Sequence, residues 1–150
     1  MELSMNSQQP NTPSQNIDFQ LGLLHFAHLL MAADGTIDRR EKVAMRKIKL
    51  EERIPDWIFD DFEETIYDKA ERQIYEEAVK MLNRCSEEEK LRVFVHLYRL
   101  SEADDRVHVR EVRLLLYSLK ATNVPFEEVE RRAAAARTET ERGLQQNTFQ

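Results

Sequence analysis

A short acidic pattern occurs twice in this chain, seventy positions apart, and it constrains the fold more than any other feature. The first copy reads Ala33-Asp34-Gly35-Thr36-Ile37-Asp38-Arg39-Arg40-Glu41. The second reads Ala103-Asp104-Asp105-Arg106-Val107-His108-Val109-Arg110-Glu111. Each follows an amphipathic run and opens another, so each reads as an acidic turn between two helices. The register extends beyond the turns. Ile54-Pro55 matches Val124-Pro125, Leu24 matches Phe94, Leu30 matches Leu100 and Met45 matches Leu115, with no insertion between them. Anchors so far apart predict a duplicated helical module, with pseudo-twofold packing as one arrangement. Two copies are too few for a long open solenoid.

The expected fold is all-α: a single domain of about seven helices built from two related modules. Residues 1–16 offer almost nothing to bury and read as a flexible tail. The first helix is predicted from near Asp18, with Leu21, Leu24, His25, Leu29 and Leu30 at helical spacing. Asp38 caps the second helix, which presents Val43, Ala44, Ile48 and Leu50 and ends near Arg53, before Pro55. A short third helix carries Trp57, Ile58, Phe62 and Ile66, and Trp57 is expected to plug the space between modules. Ile74, Ala78, Val79 and Leu82 mark a fourth helix ending near Cys85. Ser86 and Glu89 form a capping box for the fifth, which carries Leu91, Phe94, Val95, Tyr98 and Leu100. The sixth spans about Val109 to Ala121 and the seventh starts at Asn123 and Pro125. The apolar pattern fails beyond Ala136, so the domain is placed at 17–136 and a frayed tail at 137–150.

The sixth helix places Val109, Val112, Tyr117 and Leu119 where the second has Arg39, Lys42, Lys47 and Lys49. A helix apolar around most of its circumference is buried on several sides. The sixth is therefore expected at the centre and the second at the periphery. The alternative is a homodimer face at Leu116 or Tyr117.

Composition narrows the function classes. Residues 51–90 hold 14 acidic and 6 basic side chains, a net of −8, and the whole chain carries −6. An acidic belt repels phosphates, which argues against nucleic acid and for cations or a basic protein partner. The lone Cys85 excludes an intramolecular disulfide framework and suits a reducing compartment. No apolar run approaches the roughly 20 residues that span a bilayer, so no transmembrane segment is expected. The opening residues lack a basic segment followed by an apolar core, which reads against a secretory signal. A cytoplasmic location follows by elimination. No phosphate loop, dinucleotide fingerprint or activated nucleophile is present, and no enzyme activity is expected.

The acidic turns carry the candidate chemistry. Asp34, Asp38 and Glu41 set oxygen ligands on a short turn that Gly35 allows to bend tightly, which suits a weak calcium site. The structural reading of the same residues is a cap, with Asp38 and Glu41 satisfying the second helix's first N–H groups. In the second turn His108 stands where Asp38 does in the first. Asp104, His108 and Glu111 form an incomplete set closer to zinc chemistry, with a solvated turn as the structural reading. His25 and His28 lie three apart on one helix, and their default role is packing or hydrogen bonding inside the bundle. His96 has no evident partner in the sequence.

Leu29-Leu30-Met31-Ala32-Ala33-Asp34-Gly35-Thr36-Ile37-Asp38-Arg39-Arg40-Glu41 resembles the first signature of the tellurite-resistance protein B (TerB) family. The segment from Ala103 to Glu111 resembles the second, and the likeness covers about residues 18–135. It also touches the domain preceding the J domain in membrane-anchored DnaJ-like chaperones. The resemblance implies an all-helical duplicated domain in a bacterial cytoplasm. It links the chain to tellurite, other chemical stress and phage responses, as a scaffold peripheral to membrane or metal-linked complexes. It further implies that Asp34, Asp38 and Glu41, with Asp104 and Glu111, are metal ligands. Two functions are therefore expected in competition: a noncatalytic stress-associated interaction domain using Asp60, Asp61, Glu63 and Glu64, and a divalent-metal sensor or buffer using the turns.

Overall fold

The computed structural model of the chain describes residues 16–32, 39–103 and 109–148. Among them are seven α-helices and no strand: α1 (Ile17–Met31), α2 (Arg39–Glu51), α3 (Asp56–Ile66), α4 (Glu71–Asn83), α5 (Glu87–Ala103), α6 (Val109–Thr122) and α7 (Phe126–Thr148). The starts of α1 and α5, of α2 and α6, and of α3 and α7 are each seventy residues apart. The duplication is thus α1–α3 followed by α5–α7, with α4 as an unmatched helix between them.

The clearest trace of the repeat lies where α2 and α6 end. Arg53 and Asn123 have φ of 52° and 59°, the left-handed conformation that terminates a helix. Ile54 N–H returns to Lys49 O and Val124 N–H to Leu119 O, both at 2.9 Å. Arg53 N–H meets Leu50 O and Asn123 N–H meets Lys120 O, both at 3.3 Å. These are paired Schellman motifs, each followed by a buried aliphatic residue and a proline. The prolines then enter the next helix at its start, where no N–H is needed.

The caps of α1 and α5 also correspond. Asn16 Oδ1 accepts from Asp18 N–H at 2.9 Å. Ser86 and Glu89 exchange bonds of 3.0 and 3.1 Å, completing the predicted capping box. Asn16 Nδ2 also donates to Glu89 Oε1 at 3.3 Å, so the two helix starts lie side by side.

The centre of the molecule is α1. From Phe19 to Leu30 every residue except Leu21 is buried. This corrects the expectation that α6 would be the inner helix: Val112, Leu116 and Tyr117 of α6 are exposed. The physical reason is charge. No Asp, Glu, Lys or Arg occurs from Phe19 to Ala32, whereas α6 carries Arg110, Arg113 and Lys120, which cost too much to enclose and stay exposed. Phe26 knits the centre, meeting Tyr75 of α4 edge-on at 6.3 Å and Phe94 of α5 at 5.8 Å. Gly22 lets α4 come close, because a Cβ there would lie 2.7 Å from Leu82 Cδ1.

Two further expectations are revised. Trp57 does not plug the modules; it is 66% exposed on the outer side of α3. The buried stripe of that helix is Ile58, Phe59, Phe62 and Ile66, and Trp57 falls off it. α7 continues as helix to Thr148, past the point where apolar periodicity ends. Ala133 is its last buried described side chain, so the pattern marks where packing stops rather than where the helix stops. Arg137 extends the docking of α7, with Nη2 bonding both Glu102 oxygens at 3.0 and 2.9 Å.

Candidate functional site

The side chains that sequence nominates for chemistry divide between an enclosed set and an outer one. Asp34, Asp38, Asp104 and His108 lie outside the described residues. Glu41 and Glu111 occupy equivalent positions in the first turns of α2 and α6, and both are buried. Glu41 Oε1 accepts from His28 Nδ1 at 2.7 Å, with both side chains under a tenth exposed. The His28 ring lies edge-on to Tyr67 at 5.6 Å and Phe62 at 6.3 Å. Burial raises the Tyr67 phenol above its usual pKa, and the Glu41 and Glu63 charges add to the effect. Glu41 therefore ties α2 to α1 in an apolar setting.

His25 lies one turn earlier on α1. Its Nδ1–H donates to Leu21 O at 2.7 Å, which leaves Nε2 as the acceptor nitrogen of the neutral ring. That nitrogen is buried without a hydrogen bond, 3.7 Å from Glu77 Oε1. Burial pulls the imidazole pKa below 6.5 against the raising effect of the Leu21 carbonyl. Lys69 Nζ takes Glu77 Oε1 at 2.8 Å and holds that carboxyl below its ordinary range. Both histidines thus serve the interior, in line with their default reading.

His96, left without a partner by sequence reasoning, has one. Its Nε2–H donates to Glu52 Oε2 at 2.6 Å, and Arg92 Nε donates to the same oxygen at 2.7 Å. Glu52 sits just past the end of α2 with its side chain 1% exposed, so this triad joins the first module to α5. Burial opposes ionisation of Glu52, but the combined pull of His96 and Arg92 holds its carboxyl below the ordinary value. Sequence could not pair these groups, since 40 and 44 residues separate them.

Cys85 is half-buried and donates to Met81 O at 3.4 Å. Burial, with Glu89 and Asp18 nearby, pushes its thiol up to about 12, so it carries negligible thiolate at neutral pH.

The outer set lies on α3. Trp57, Asp60, Asp61 and Glu64 recur at helical spacing on one face, with Glu63 beside it, and all are exposed. None of these four carboxylates has an ion-pair partner among the described residues. Other acids behave differently: Asp18 binds Arg84 at 2.8 Å, and Glu88 binds Arg132. An exposed indole ringed by unpaired carboxylates is an aromatic anchor in a negative field. The signal was present in sequence, because Trp57 shares the period of the acids rather than that of Ile58, Phe62 and Ile66.

No group of three or more His, Cys, Asp or Glu side chains among the described residues is placed to hold a metal ion. No helix among them is long and apolar enough to cross a membrane. No family model, curated protein or solved structure matches this chain.

Proposed function

We propose that the chain is a noncatalytic protein-interaction domain that docks a basic partner segment on the outer face of α3. The observation carrying this reading is Trp57, held two-thirds exposed among Asp60, Asp61, Glu63 and Glu64. A large indole left in water offers apolar area to a partner at little ordering cost. The carboxylates supply attraction and register. The resemblance to the tellurite-resistance protein B family supplies the setting, a scaffold in a chemical-stress response. The metal reading draws on Asp34, Asp38, Asp104 and His108 together with Glu41 and Glu111. It is the weaker of the two because His28 already engages Glu41 inside the bundle.

The test is capture from cell extract by the full chain and by a folded quadruple variant, Asp60→Asn, Asp61→Asn, Glu63→Gln and Glu64→Gln. A defined partner should be recovered by the first, and captured less by the variant and at raised salt. Undiminished capture by the variant would remove α3 from the account.

A further inference from the structure

We infer that the occupant of the α3 face is a second copy of this chain, which presents α2. The inference rests on the reading of α3 as a docking face and names the partner. All six basic residues of the first fifty lie in α2. Four of them, Arg39, Lys42, Arg46 and Lys47, are exposed and have no ion pair among the described residues. Val43 and Leu50 recur on the same face at 63% and 74% exposure. The α2 face is thus four positive charges around two aliphatic side chains. The α3 face is four negative charges around an indole. The charges match in number and oppose in sign, and each face offers exposed apolar area for the other to cover.

The two faces do not satisfy each other within one molecule. Arg53, Ile54 and Pro55 turn the chain sharply between them, and the only described ion pair across the junction is Lys49 with Asp56 at 2.5 Å. Two copies can exchange these faces, α2 of each meeting α3 of the other, and such reciprocity is what a closed dimer requires. An anionic membrane is the competing occupant of α2, since basic helices with exposed aliphatic residues bind such surfaces. It is disfavoured because the chain is acidic overall, at −6, and residues 51–90 carry a net −8 that an anionic surface repels.

The test combines sedimentation velocity of the full chain with Trp57 emission, which is unambiguous because the chain has one tryptophan. Over a concentration series at low salt the wild type should associate, its emission should shift to the blue, and salt should reverse both. Reversal of α2 (Arg46→Glu with Lys47→Glu) or of α3 (Asp60→Lys with Asp61→Lys) should weaken association about a hundredfold or more, because like charges then face each other. Mixing the two reversed variants should restore it, since acidic α2 now meets basic α3. Circular dichroism checks that each variant is folded. If one is not, the neutral pair Arg46→Gln with Lys47→Gln should give a smaller loss in the same direction.

A wild type that stays monomeric throughout the series would overturn the inference, as would a mixture that stays monomeric. So would a monomeric protein that binds phosphatidylserine vesicles and loses them only on α2 reversal. The two proposals fail separately: a monomeric wild type whose capture of another protein still depends on the α3 carboxylates keeps the docking face and removes the second copy.

Discussion

Replacing Glu52 with glutamine tests whether the buried Glu52–Arg92–His96 cluster joins the two halves of the duplicated fold. The substitution keeps the shape and removes the charge that Arg92 and His96 share. Breaking a buried pair from one side costs about 3–5 kcal/mol, because the remaining charge stays desolvated. Two features reduce that here. Arg92 and His96 keep 25% and 12% of their side-chain surface and so recover some hydration. A carboxylate at the end of α2 also opposes the helix dipole, and its loss returns about 0.3–1 kcal/mol. The expected cost at neutral pH is therefore about 2–4 kcal/mol, or roughly 4–16 °C in Tm for a domain of this size. Urea unfolding measures it, with an unchanged m-value showing that the midpoint shift reports stability. The pH dependence adds a second check. Because the folded carboxyl lies below the ordinary glutamate value of 4.5, its contribution is complete above that value and is lost as pH falls through the lower, folded one. The gap between wild type and variant should hold from neutrality to about pH 5 and then close. A cost under about 1 kcal/mol at neutral pH would refute the claim that this triad couples the halves.

Three further outcomes follow from the packing. Arg53→Gly should stabilise the chain by about 1 kcal/mol by relieving a left-handed arginine, whereas Asn123→Gly should gain only a few tenths, since asparagine tolerates that conformation. Equal urea midpoint shifts for the two would contradict this reading of the paired helix ends. Gly22→Ala adds helix propensity of about 1 kcal/mol but drives a Cβ into the Leu82 methyl, an overpacking cost of about 1–3 kcal/mol. Thermal unfolding should show a net loss, since Leu82 is fully buried, and a rise in Tm would mean that the Leu82 side chain can turn aside without cost. His25 has a folded pKa below 6.5, so its contribution is complete above that value and lost as pH falls through the lower one. His25→Leu should flatten the decline of urea midpoints as pH falls below about 6.5, and parallel declines would show that another group governs it.

Much of this architecture was legible from local chemistry. The Ile54-Pro55 and Val124-Pro125 pairs located two helix ends because a C-terminal motif leaves its mark on adjacent residues. Ser86 and Glu89 announced α5 for the same reason. Apolar content alone points to the wrong inner helix, because the placement of charges decides which helix can be enclosed. Arg113 and Lys120 give α6 an outward side that the uncharged run from Phe19 to Ala32 lacks. The size of Trp57 argues for an inward place, but its spacing matches the acids and the helix carries it outward. The Glu52 triad was not legible, because partners 40 and 44 residues away are brought together only by the packing of α5 beside the first module. Of the nominated ligands, Glu41 and Glu111 sit at corresponding buried positions, while the other four lie outside the described residues.

The enclosure of α1 has a consequence for how the chain is made. A ribosome releases α1, the helix with the most apolar circumference, before the α4 and α5 residues that cover it exist. Phe26 must wait for Tyr75 and Phe94, and the Gly22 side of α1 for Leu82, so the first module cannot bury its own leading helix. Until α5 emerges, the nascent chain displays an adhesive surface of the kind that chaperones bind and that seeds aggregation. Synthesis stalled between α3 and α4 would therefore be more hazardous to the cell than synthesis stalled after α5.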